Sequence, residues 1–162
     1  MRRSTRGLTL LEMMVALAIV AVLTTLALPS FGSMVSRHRL KAAAEQMSLD
    51  LAELRLLAAQ RGQPMHVSLY AGPQWCYALA VARGCDCRVP QGCQLKTVRA
   101  KDHPGVTLLE GPDLRIDPQP GLGGGGALLQ GNDGARLRVG LSPLGRPRVC
   151  APAASVPGFA PC

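Results

Sequence analysis

The feature that most constrains this chain is an uncharged, mostly apolar run from Met13 to Val35, placed directly after an arginine-rich start. A run of this length can cross a bilayer as a helix. Arg2, Arg3 and Arg6 precede it, and positive residues before a span predict that the N-terminus stays inside while the rest is exported. The sequence therefore predicts a single-pass anchor that carries an external domain.

Two simpler explanations of this start leave something unexplained. A cleaved secretory signal peptide has an apolar core of only ~7 to 15 residues that ends in a small-residue cleavage site, and the run here is longer. A plain membrane anchor would not explain Glu12, an acid at the edge of the apolar segment, where an unpaired carboxylate is costly. Glu12 is therefore expected to have a partner.

The segment from Arg6 to Glu12, with the sequence RGLTLLE, resembles the class III signal of type IV pilins and pseudopilins. The resemblance implies that a prepilin peptidase cleaves between Gly7 and Leu8 and methylates the new N-terminus on Leu8. It also implies that Glu12 pairs with the amino terminus of a neighbouring subunit in a filament. Such mature chains usually begin with Phe, and this one would begin with Leu8. The resemblance covers residues 1 to about 35.

The predicted domain organisation follows from this resemblance and from the hydrophobic periodicity. Residues 1–7 form a cleaved leader, and residues 8–36 form a transmembrane and filament-core helix. Residues 37–62 continue it as an amphipathic helix, because apolar residues recur at three- and four-residue spacing from Leu40 to Ala58. Gly62, followed by a proline two residues later, ends the helix. Residues 63–162 are the periplasmic head.

The head is predicted to be rich in β-strands. Beyond residue 64 the pattern changes to short apolar or alternating runs separated by Gly and Pro, namely 65–70, 75–82, 106–110, 127–130 and 136–142. The fold class is therefore α+β, with a long N-terminal helix packed on a small antiparallel sheet. The glycine-rich segment 117–126 lacks the lysine of a phosphate-binding loop and is interpreted as a connection between strands.

Six cysteines in a small exported domain predict disulfides. They are Cys76, Cys85, Cys87, Cys93, Cys150 and Cys162. Six thiols can pair in 15 ways, and the sequence favours only one pair, Cys150 with Cys162 across the tail. A zinc cluster of Cys85, Cys87 and Cys93 is the alternative, but their spacing lacks the paired CxxC of common zinc sites. We expect no metal and no cofactor.

The chain carries a formal charge of +8, and four arginines are concentrated near its end. They are Arg136, Arg138, Arg146 and Arg148. Ser142 to Arg146 fits a three-residue hairpin loop with Gly145 at the left-handed position. That turn would pair Gly140 with Arg148 and would place all four arginines on one face of the hairpin. Such a face can hold phosphates, although arginines at a hairpin edge can also simply discourage aggregation.

The residues Gly145, Arg146, Pro147 and Arg148 resemble the glycine-arginine-any-arginine motif of DNA-binding pilins in the FimT/GspH family. This resemblance implies a FimT-like minor pilin of a type IV pilus that binds double-stranded DNA for uptake. Its partners would be other pilins, a prepilin peptidase and the bacterial inner membrane. The alternative within the family is the H-type pseudopilin of type II secretion, and the alternative outside it is a membrane-tethered periplasmic binding module.

The sequence does not predict an enzyme. Catalysis needs a base, a nucleophile or a metal converging in one pocket. The three histidines, His38, His66 and His103, stand in unrelated settings, and no serine lies in a nucleophile motif. We therefore expect no catalytic residues.

Overall fold

The computed structural model describes residues 9–90, 92–119, 125–142, 144–152 and 156–162, with the backbone alone for residues 26–30. The chain divides into two compact units, Met1–Val35 and Ser36–Cys162. One helix, α1, runs from Leu10 to Arg61. It ends as the sequence predicts, with Gly62 in the left-handed region at φ 62°.

The second unit contains eight short strands in two antiparallel sheets. The strands are β1 (Met65–Tyr70), β2 (Cys76–Ala80), β3 (Gln94–Arg99), β4 (Val106–Glu110), β5 (Leu114–Ile116), β6 (Gly126–Gly131), β7 (Arg136–Leu141) and β8 (Pro147–Cys150). One sheet has the order β3-β2-β1-β5 and the other has the order β4-β6-β7-β8. The α+β prediction is confirmed.

The sequence predicted one small sheet, and the described head has two. Strands β3 and β5 were not predicted, for two physical reasons. β3 is an edge strand in which Val98 alone is fully buried, so its apolar alternation is weak. β5 is three residues long, which is too short to show a period. Of the predicted connection 117–126, residues 120–124 lie outside the described residues.

The apolar face of α1 packs into a single core with side chains from both sheets. Leu40, Met47, Leu51 and Leu54 on the helix are at most 1 % exposed. Trp75 joins the two sheets, because its indole Nε1 donates a hydrogen bond of 2.7 Å to the Val106 carbonyl oxygen at the start of β4. Burying such side chains supplies most of the stability of a domain of this size.

A buried polar contact also links the helix to the sheet. The Asp50 carboxylate on α1 is buried, accepts 2.8 Å from the Tyr77 hydroxyl, and forms a 2.6 Å ion pair with Lys96. Burial, followed by the nearby Asp50 charge, raises the pKa of Tyr77 well above its usual range. The phenol therefore stays protonated and serves as a donor to the carboxylate.

The six cysteines form three disulfides, which confirms the disulfide prediction. Cys76 pairs with Cys87 and Cys85 pairs with Cys93, so both bonds brace the loop of residues 81–93, here called the cystine loop. The third bond joins Cys150 to Cys162, the pair that the sequence favoured, and ties the tail to β8. These bonds use the thiols that the alternative zinc cluster would have needed.

The sequence predicted a membrane span over residues 8–36. Within the part of the chain that the structure describes, no helix combines the length and the apolar character needed to cross a bilayer. The predicted span includes residue 8 and the side chains of residues 26–30, which lie outside that part.

Candidate functional site

The described N-terminal unit begins with a helix cap. Thr9 Oγ1 accepts a hydrogen bond of 3.3 Å from the backbone N–H of Glu12, three residues later. Thr9 followed by Glu12 has the spacing of a capping box, a helix-start signal that is visible in the sequence. The Glu12 side chain is exposed, whereas the predicted cleavage pair, Gly7 and Leu8, lies outside the described residues.

The helix after this cap exposes large apolar side chains. Leu10 is 80 % exposed, Leu11 is 73 % exposed, and the large apolar side chains from Met13 to Leu23 are 50 to 64 % exposed. A contiguous apolar surface of this extent in a single chain marks a contact with a membrane or with another protein. The prediction that the N-terminal segment anchors the chain in a membrane and packs in a filament depends on this surface.

The four arginines near the C-terminus lie on a hairpin made of β7, its turn and β8, residues 136–150, here called the arginine hairpin. The predicted register is confirmed, because Arg138 pairs with Cys150 and Gly140 pairs with Arg148. Gly145 has φ 69°, the left-handed conformation that its turn position requires. The Ser142 N–H donates 2.9 Å to the Arg146 carbonyl oxygen and closes the turn.

Side chains alternate along the arginine hairpin as the register predicts. Leu137 and Val139 are buried in the core. The arginine side chains are exposed on the other face, at positions Arg136, Arg138, Arg146 and Arg148. The hairpin therefore presents guanidinium groups to solvent on one side and is held by the core on the other.

The four arginines differ in their partners, which the sequence could not show. Arg138 Nη2 forms a 3.0 Å ion pair with Glu110, and Arg136 Nε donates 2.8 Å to Gln130 Oε1. Among the described residues, the Arg146 and Arg148 side chains form no ion pair or hydrogen bond. Of these four arginines, Arg146 and Arg148 are therefore the two whose guanidinium groups have no partner among the described residues.

A groove of about 400 Å³ lies beside this face, and Arg138 and Arg148 both line it. Its floor includes two glycines on neighbouring strands, Gly126 and Gly140. A Cβ on Gly140 would lie 2.7 Å from the Gly125 carbonyl oxygen, so the strands approach too closely for a side chain there. The groove is therefore lined partly by backbone at these glycines and partly by Val149 and the Cys150–Cys162 disulfide.

The metal-binding and acid–base candidates of the sequence lie in the following settings. Among the described residues, no group of three or more His, Cys, Asp or Glu side chains could hold a metal ion. His103 is stacked on Trp75, with ring centroids 6.1 Å apart, and burial lowers its pKa. Its Nε2 is buried and has no hydrogen-bond partner among the described atoms, so this histidine packs against the core.

Comparisons with known proteins agree with this arrangement. Residues 2–28 match the family model described as the prokaryotic N-terminal methylation motif. The structure is similar to the crystal structure of the type IV minor pilin FimU of Pseudomonas aeruginosa (strain PAO1), with a TM-score of 0.52 and 17 % sequence identity. The similarity covers 74 % of this chain and 98 % of that chain. The fold is pilin-like.

Each finding bears on a different part of the prediction. The motif supports the predicted resemblance to prepilins, and the structural similarity, at this identity, concerns the fold alone. No curated protein sequence matches the chain. The two findings together support the predicted similarity to type IV pilins. They do not distinguish a FimT-like subunit from a secretion pseudopilin.

Proposed function

We propose that this chain is a FimT-like minor subunit of a type IV pilus and that it binds double-stranded DNA through Arg146 and Arg148. The subunit role is supported by the methylation motif over residues 2–28 and by the pilin-like fold. The DNA-binding role is supported by one observation, the pair of exposed arginines without an acidic partner among the described residues. A guanidinium in that state is suited to a bidentate contact with phosphate.

In this proposal the N-terminal segment directs processing and assembly. A prepilin peptidase cleaves between Gly7 and Leu8 and methylates Leu8, and Glu12 then pairs with the amino terminus of a neighbouring pilin. Before assembly, the apolar segment 8–36 anchors the subunit in the bacterial inner membrane with the head in the periplasm. The exposed apolar side chains from Leu10 onward supply the surface for both environments.

The processing step is tested by replacing the glycine. The full chain and its Gly7→Val variant are expressed with a prepilin peptidase, and their intact masses are measured. We expect the wild type to lose residues 1–7 and gain one methyl group, and the variant to remain uncut. Arg3→Gln, which leaves the glycine in place, is the control and should mature normally. Normal maturation of Gly7→Val would contradict the proposal.

The DNA-binding step rests on electrostatics, and among the described residues no exposed aromatic side chain lies on the arginine hairpin to stack bases. Contacts to the phosphate backbone of a duplex are therefore favoured over recognition of single-stranded bases. Arg138, held by Glu110, and Arg136, bonded to Gln130, have supporting roles on the same face. Binding should show little sequence preference.

The test is a titration of a labelled duplex with the full chain in a non-ionic detergent at low salt. The double variant R146Q/R148Q should bind at least about tenfold more weakly, because two phosphate contacts are lost. The matched control is R83Q/R88Q, which removes two charges from the cystine loop and should stay within about twofold of wild type. No binding by the wild type would favour the alternative, an H-type pseudopilin of type II secretion.

A further inference from the structure

A fifth arginine, far away in the sequence, lies at the turn of the arginine hairpin. Arg55 belongs to α1, and its side chain is half-buried against the head. A Cβ built on Gly145 would lie 3.6 Å from both Cζ and Nε of Arg55. The Arg55 guanidinium therefore lies close to the turn at Gly145, the residue that precedes Arg146 in the sequence.

Gly145 has two relevant features at this position. Its left-handed φ of 69° suits the turn, and a Cβ at this position would be in ordinary van der Waals contact with the Arg55 guanidinium. Gly145 therefore marks the place where a cation of the helix lies beside the hairpin turn. Neither the turn pattern nor the helix periodicity predicts this contact, because it joins residues 90 positions apart.

The charges at this place are not balanced by the protein. Like Arg146 and Arg148, the Arg55 side chain has no ion pair or hydrogen bond among the described residues. Elsewhere in the head, Arg37 is neutralised by Asp133 and Arg115 by Asp117, whereas Arg83 also has no ion pair among the described residues. Neighbouring like charges repel each other, and a bound polyanion would remove that repulsion.

We infer that Arg55 is a further phosphate-contacting residue of the DNA site, so that the site is formed by the helix and the hairpin together. This inference rests on the proposed function. The ligand is the phosphodiester backbone of duplex DNA, which offers successive phosphates to cations on the two elements. Because Arg55 lies on α1, the site then requires the folded head and not only the hairpin.

The experiment measures duplex affinity of the full chain in detergent for Arg55→Gln, Arg55→Lys and Lys41→Gln. R55Q should weaken binding about fivefold and reduce the slope of log affinity against log salt by about one. R55K keeps the charge and should bind within about twofold of wild type. K41Q removes one charge from the same helix, roughly 21 Å away along its axis, and should have little effect.

The outcomes separate this inference from the proposal beneath it. If R55Q binds like K41Q while R146Q/R148Q binds weakly, Arg55 is not part of the site and the proposed function stands. If the wild type itself does not bind, both are overturned. If R55Q and R55K lose affinity equally, the role of Arg55 is in packing, and the inference is wrong; thermal unfolding of both variants identifies this case.

Discussion

The cystine loop and the arginine hairpin both expose arginines and both carry a disulfide, yet Arg88 in the loop and the pair Arg146 and Arg148 in the hairpin differ in their partners. In the loop, Arg88 donates from Nε and Nη2 to the Asp86 carboxylate at 3.0 and 2.7 Å, and its guanidinium lies 4.2 Å from the centre of the Tyr70 ring. In the hairpin, Arg146 and Arg148 have no such partner among the described residues.

The pKa values show the consequence for the loop. The hydrogen bonds from Arg88 lower the pKa of Asp86 to about 2, so the carboxylate is ionised and the pair is closed at neutral pH. The chain has no acid after Asp133, and Glu110 forms its ion pair with Arg138. For Arg88, Arg146 and Arg148, the availability of the guanidinium to an anion therefore depends on whether the fold brings a carboxylate to it.

Removing one disulfide at a time tests whether duplex binding depends on the arginine hairpin and not on the cystine loop. Replacing Cys150 and Cys162 by Ala opens a link of sequence separation 12 and should lower the free energy of unfolding by about 2 to 3 kcal/mol. C85A/C93A, with separation 8, should cost a similar amount. Only the first variant should also weaken duplex binding, because only it loosens β8. Equal losses of affinity in both would show that general destabilisation is the cause.

A carboxylate placed in the hairpin turn should pair with Arg146, as Asp86 pairs with Arg88 in the cystine loop. Leu144 is 62 % exposed in the turn, two residues before Arg146. We expect L144E to lower duplex affinity about tenfold by pairing with Arg146 and repelling phosphate. The control L144Q has the same shape without the charge. Equal affinities of L144E and L144Q would argue against a site at this turn.

Removing a carboxylate should have the opposite effect, but only in the hairpin. E110Q frees Arg138 and should raise duplex affinity about twofold to threefold, since the freed cation lies on the proposed binding face. D86N frees Arg88 by the same change in net charge and should leave affinity nearly unchanged. A similar gain in both variants would indicate that binding follows net charge alone.

The smallest expected effect is on acid stability. Asp86 has a depressed pKa in the folded chain, so its stabilising contribution is complete above an unfolded pKa of about 4 and is lost as the pH falls through about 2. The difference in Tm between wild type and D86N should therefore be constant from neutral pH to about 4 and shrink below it. A difference that vanished near neutral pH would contradict the pairing of Asp86 with Arg88.

Structural features that depend on residues close together in the sequence could be predicted, and contacts between distant residues could not. The hairpin register follows from the three-residue loop between Ser142 and Arg146, and the end of α1 follows from Gly62. Both depend on nearby backbone preferences. The pairing of Cys76 with Cys87, the Glu110–Arg138 ion pair and the contact of Arg55 with Gly145 depend on tertiary packing. No local pattern encodes them.

The most direct test of the central claim, that Arg146 and Arg148 bind phosphates, is the salt dependence of duplex affinity for the full chain, R146Q/R148Q and R83Q/R88Q. We predict a linear fall of log affinity with log salt for the wild type, and a slope smaller by about two for R146Q/R148Q, because each lost phosphate contact removes about one. The slope of R83Q/R88Q should equal that of the wild type. Equal slopes for all three proteins would contradict the claim.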